Sequence, residues 1–83
     1  MHERRFVYIL RSERDPERHY VGIASNPHDR LITHNAGASP HTSKYRPWRL
    51  IVTLEFSDPD RALKFERYLK TGSGRAFAKR HFG

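Results

Sequence analysis

There is no cysteine anywhere in the 83 residues. That excludes disulfide staples and a zinc site built on thiolates, and it is compatible with a reducing compartment. Long apolar runs are also missing. Nothing approaches the roughly 18 residues that a membrane span needs, and the N-terminus lacks the apolar stretch of a secretory signal. The expectation is a soluble, cytoplasmic protein with no membrane partner. At this length one domain with one modest core is expected over residues 1–83. Acid is the third scarcity. Residues 61–83 hold seven Lys and Arg and a single carboxylate, Glu66, whereas residues 1–60 hold nine basic and eight acidic side chains. The net charge of +7 is thus concentrated at one end and points to a polyanion partner, nucleic acid first.

What is present reads as alternating strands and helices, with no internal repeat, low-complexity segment or linker. Phe6-Val-Tyr-Ile-Leu10 is apolar throughout, as for a strand covered on both faces. Phe6, Tyr8 and Leu10 point one way, Val7 and Ile9 the other. A polar connection from Arg11 to Arg18 leads to a second strand, His19 to Ala24, the simplest antiparallel partner of the first. Asn26-Pro27 starts a helix that runs to about Ala36: asparagine caps, proline suits the first position, and Asp29 complements the dipole. Gly37 is the left-handed stop. The stretch Gly37 to Trp48 reads as a long loop. Arg49 to Phe56 is a third strand, with Leu50, Val52, Leu54 and Phe56 assigned to one face. Ser57-Asp-Pro-Asp60 opens a second helix to about Lys70. Gly72 and Gly74 stop it, and Ser73 caps a short basic segment from Arg75 to Phe82.

Five residues stand out chemically, each with two readings. Glu66 falls on the apolar stripe of the second helix with Ala62, Phe65 and Leu69. A carboxylate there either snorkels or pairs with an arginine at the stripe edge, or it faces inward to hold a cation or to act as acid or base. Tyr8 and Tyr20 are packing residues with hydroxyls at the rim, or members of a site for which Gly22 leaves room. Arg30 and His34, four apart and so on one helix face, are solvated or face the same site. His28, His34 and His41 form no recognised zinc spacing.

Two tyrosines on adjacent strands, an arginine and a histidine on the next helix and an inward glutamate later can converge on one concave site. In this respect the chain resembles the GIY-YIG nuclease superfamily along nearly its whole length. Val7-Tyr8-Ile9 and Tyr20-Val21-Gly22 stand where the two signature triplets belong. Asp29-Arg30-Leu31, His34-Asn35-Ala36-Gly37, Tyr45-Arg46-Pro47-Trp48 and Ala62-Leu63-Lys64-Phe65-Glu66 follow in order. The spacing and the closing Leu69–Ala78 segment look like a small stand-alone member of bacterial type. The departures are Val7 in place of the first glycine, and Ile23 where some members, notably the excision-repair incision subunit, carry a lysine. No appended DNA-binding domain is seen.

The resemblance implies an α/β (α+β) fold, a small three-stranded antiparallel sheet flanked by helices. It also implies metal-dependent hydrolysis of DNA phosphodiester bonds, structure-selective or weakly sequence-specific, in repair or recombination. Carried over, Glu66 binds one Mg²⁺ or Mn²⁺, and Tyr20 is the leading candidate to activate water with Tyr8 orienting it. Arg30 contacts the phosphate, and His34 assists proton transfer or positioning. The basic side chains Lys44, Arg46, Lys64, Arg67, Lys70, Arg75, Lys79 and Arg80 are the expected nucleic-acid contacts, and Tyr45 and Trp48 are candidates to stack on unpaired bases, although Trp48 reads first as a core anchor. Branched, flapped or single-stranded DNA is the expected partner, with a homodimer or a partner chain supplying further specificity. The competing reading is a nucleic-acid-binding module of the same fold that is catalytically silent or depends on a partner.

Overall fold

The computed structural model describes residues 4–83. Three strands, β1 (Arg5–Ser12), β2 (His19–Ala24) and β3 (Trp48–Phe56), form one antiparallel sheet in the order β2-β1-β3. The central place of β1 explains its unbroken apolar run: Val7, Tyr8, Ile9 and Leu10 are all at most 2% exposed. Strand alternation sends them to two cores. Val7 and Ile9 pack with Ala62 and Leu69, and Tyr8 and Leu10 pack with Ala24 and Trp48.

Helix α1 (Pro27–Asn35) begins as its residues dictate, with the Asn26 side chain accepting from the Asp29 amide at 3.2 Å and Pro27 in the first turn. Its chain reverses at Gly37, at φ +79°, a conformation that favours glycine. Between α1 and β3 the expected loop contains a one-turn helix, α2 (Pro40–Ser43). Helix α3 (Pro59–Leu69) is capped by Asp58, whose carboxylate accepts from the Asp60 amide at 2.9 Å.

Two expectations are corrected. The glycines after α3 do not end the helical region. Thr71, not Ser73, caps α4 (Gly72–Phe82) by accepting from the Gly74 amide at 3.1 Å. Gly74 is needed for close packing instead, since a Cβ there would run into the Tyr68 carbonyl. In β3 a bulge intervenes: the partner of Ile9 is Val52, but the partner of Leu10 is Leu50, so Ile51 is the extra residue. One extra residue flips the alternation. Leu50 therefore packs with the Tyr8–Leu10 core, whereas Ile51, Val52 and Phe56 join Val7 and Ile9. None of the helices among the described residues is long and apolar enough to cross a membrane.

Candidate active site

Tyr8, in the middle of β1, is paired directly with Gly22 of β2. Its ring lies across that glycine so closely that a Cβ at position 22 would collide with the phenol carbon and hydroxyl. The missing side chain thus leads the Tyr8 hydroxyl over the edge strand. There it meets His34, which the last turn of α1 brings down to the sheet and buries. The Tyr8 hydroxyl and His34 Nε2 are 3.3 Å apart, and the Tyr20 ring stands 4.6 Å from the imidazole, centroid to centroid. Tyr8 and Tyr20 are 6.2 Å apart by the same measure. Three of the five expected residues are therefore in one cluster.

The protonation states follow from the surroundings. Burial, reinforced by Tyr20 and by the Glu66 carboxylate and opposed by Arg30, pushes the Tyr8 phenol up to about 12. Burial first, and then the Arg30 guanidinium, lowers the His34 imidazole below its ordinary value. Near neutral pH Tyr8 is thus a phenol and His34 a neutral ring. The other His34 nitrogen, Nδ1, lies 2.8 Å from the Thr42 hydroxyl, whose own proton is directed to the Ser39 carbonyl at 3.5 Å. With that donor committed, Nδ1–H donates to Thr42 and Nε2 is left to accept from Tyr8.

Thr42 escaped the sequence reading because a threonine in a loop carries no positional signal. It is buried on α2, and the Trp48 indole N–H holds its carbonyl at 2.8 Å. Asn35 completes the frame, its side chain spanning the Trp48 backbone by accepting from the amide and donating to the carbonyl. This bears out the first reading of Trp48. Only 5% exposed and with its N–H engaged, it is a core anchor and not a stacking platform. Tyr45 lies beside it, half-buried beneath Arg18 and Lys44.

A Thr42→Val substitution keeps the side-chain shape and removes the acceptor. The expected result is loss of the fixed Nδ1–H tautomer, read from imidazole ¹⁵N shifts, with a stability loss of about 1–3 kcal/mol for the stranded donor. Thr42→Ser is expected to restore both.

Arg30 and Glu66 act on this cluster through their charge. Arg30 is exposed one helical turn before His34, at the rim of a second cleft between the starts of α1 and α3 that is also lined by Asn26, Pro59 and Leu63. Glu66 lies between Ala62 and Leu69 on the buried side of α3 and is only 8% exposed. The pairing considered for it was with an arginine; the observed partner is Lys70, whose ammonium is 2.5 Å from Oε2. Both charges are felt at the same atom, the Tyr8 hydroxyl, with opposite signs.

No group of three His, Cys, Asp or Glu comes together among the described residues. A single inward carboxylate nonetheless suits a hard divalent ion, which keeps waters and takes one or two carboxylates plus substrate phosphate oxygens. The Lys70 ammonium is a stand-in, showing that a cation already sits against this carboxylate. The eight expected nucleic-acid contacts are all exposed, and three of them share one cleft. Lys70, Arg75 and Lys79 line a cleft beside β2, joined by Arg11, Arg18 and His19, which the sequence did not single out.

Residues 4–80 match the family model of the GIY-YIG catalytic domain. Among curated proteins, the chain is 38% identical over 65 residues to the structure-specific endonuclease subunit SLX1 homolog of Giardia intestinalis, covering 74% of this chain and 18% of that one. It is 40% identical over 67 residues to structure-specific endonuclease subunit SLX1 of Scheffersomyces stipitis, covering 72% and 20%. The Chaetomium globosum protein of that name is 42% identical over 66 residues, covering 72% and 20%. The chain thus spans about a fifth of the length of these relatives.

Proposed function

This chain belongs to the GIY-YIG family, and on that premise we propose that it is a divalent-metal-dependent endonuclease that cuts DNA phosphodiester bonds at branched or flapped structures, in repair or recombination. The observation that carries the reading is the convergence on the Tyr8 hydroxyl. A buried histidine bonds it, a second tyrosine flanks it, and burial sets its proton affinity, with a guanidinium and a carboxylate from two different helices adding smaller opposed contributions.

Within this reading Glu66 holds one Mg²⁺ or Mn²⁺. When bound, such an ion polarises a phosphoryl oxygen and neutralises charge on the leaving oxygen. Arg30 presents a planar fork that matches two phosphate oxygens. Tyr20 is half-buried and borders the cleft beside β2; as the phenolate, its own proton first released to solvent, it takes the proton of the attacking water. Tyr8, held as a phenol, orients that water by hydrogen bonding. His34 Nε2 receives the Tyr8 proton in the hydrogen bond and fixes the hydroxyl direction. Lys44, Arg46, Lys64, Arg67 and Arg80 contact backbone phosphates around the site.

The test is incubation of purified protein with flapped, branched, single-stranded and duplex DNA in Mg²⁺, Mn²⁺ or EDTA. Cleavage of flapped and branched DNA with either metal, and none in EDTA, is the expected result. Binding without cleavage under every condition would favour the silent module instead.

A further inference from the structure

Between the β2 edge with its preceding loop and the face of α4 runs an open cleft of about 750 Å³ that extends well past the catalytic cluster. Its lining includes five Lys and Arg side chains (Arg11, Arg18, Lys70, Arg75 and Lys79) and one carboxylate, Glu17. The helical spacing of Arg75 and Lys79 puts both on the same side of α4. The floor is apolar, with Leu69 from α3 and Phe82 from α4. Cationic walls over an apolar, partly aromatic floor suit a flexible chain carrying phosphates on one side and flat bases on the other.

Size decides between single strand and duplex. The described residues span 36 × 29 × 18 Å, and a cavity on the scale of a drug-sized ligand, about 300–1,000 Å³, takes a nucleotide or two. A duplex, with a major groove alone about 12 Å wide, cannot enter. Tyr20 lines the cleft, and so does Lys70, the ion-pair partner of Glu66, which places the cleft beside the catalytic cluster.

We propose that this cleft holds the unpaired strand leaving the scissile phosphate, and that its occupation is what directs cleavage to flapped and branched substrates. The proposal rests on the nuclease reading, but its test does not depend on turnover. Binding of fluorescein-labelled dT₁₂ and of a blunt duplex is measured in EDTA, for the full chain and for Arg75→Glu/Lys79→Glu. The expected result is a loss of about tenfold or more in affinity for dT₁₂, and a shallower salt dependence by about 1.4 in log–log slope, as two phosphate contacts to a single strand are removed. Duplex affinity should change less than threefold.

With Mg²⁺, the variant should lose its preference for a flap over a nicked duplex without an arm. Arg75→Gln/Lys79→Gln is expected to show the same pattern more weakly, and circular dichroism melts confirm that both variants are folded. Retained dT₁₂ affinity in a folded variant, or equal losses for dT₁₂ and duplex, would overturn the cleft assignment. If the wild type cuts nothing, the nuclease reading fails while the dT₁₂ result still decides whether the cleft takes a strand.

Discussion

Glu66→Gln is expected to reduce metal-dependent cleavage at least 100-fold, about 2.7 kcal/mol of barrier, while leaving the protein folded. Glutamine has nearly the same shape, so the packing between Ala62 and Leu69 is kept and only the charge is lost. Stability should hold or rise slightly. A buried carboxylate is costly to desolvate, and its ion pair with a half-exposed Lys70 recovers little of that cost. Two readouts besides turnover belong to the same experiment. Mn²⁺ binding, followed by loss of the free-ion EPR signal, should weaken by an order of magnitude or more. The Tyr8 phenol, which Glu66 helps to raise, should titrate at lower pH. Wild-type cleavage in the variant would remove Glu66 from the site.

The second large effect is expected at Arg30. Its side chain is exposed, so Arg30→Ala should melt like the wild type, yet cleavage should fall about 100–1,000-fold, as when a preorganised donor to a developing anion is removed. Lysine is expected to recover only part of this, because an ammonium does not reproduce the planar fork. The proof that Arg30 acts at this cluster is spectroscopic. Its guanidinium lowers the proton affinity of both His34 and Tyr8, so in Arg30→Ala the His34 imidazole should titrate at higher pH and the Tyr8 phenol at higher pH still.

The same shift carries a sign for stability. The folded pKa of His34 lies below the unfolded value, so its contribution is present above about 6.5 and is lost as pH falls through the folded value. Arg30→Ala should lose less stability over that acid range than the wild type.

How far residues alone led depends on whether the determining physics is local. The start of α1 rests on Asn26, Pro27 and Asp29 within one turn, and it was legible. So were the alternation of β1 and the inward place of Glu66, which follow from periods of two and about 3.6 residues. The close approach signalled by Gly22 was visible as a gap without its occupant; the occupant is Tyr8 from the neighbouring strand. What escaped depends on contacts distant in sequence or on single insertions. The bulge at Ile51 has no turn residue to announce it, and it moved Leu50 to the other face. Gly72 and Gly74 read as a stop, whereas Thr71 caps a new helix and Gly74 serves packing against Tyr68. Thr42 acquires its place only when α2 folds against Trp48 and His34. The charge excess at residues 61–83 was plain, but its division into cleft-lining and outward side chains requires α4 to lie beside β2.

The central claim is that Glu66 and the Tyr8–Tyr20–Arg30–His34 group form one site around one phosphate. Tyr20→Phe removes a single hydroxyl and so provides a slow variant for trapping. The most direct measurement is a crystal structure of that variant with Mn²⁺ and a flapped DNA, the ion located by its anomalous signal. The account predicts one Mn²⁺ on the Glu66 carboxylate with the Lys70 ammonium displaced, sharing the scissile phosphate with the Arg30 guanidinium and within reach of residue 20. A metal bound elsewhere with the Lys70–Glu66 pair intact, or a phosphate seated away from Arg30, would contradict it.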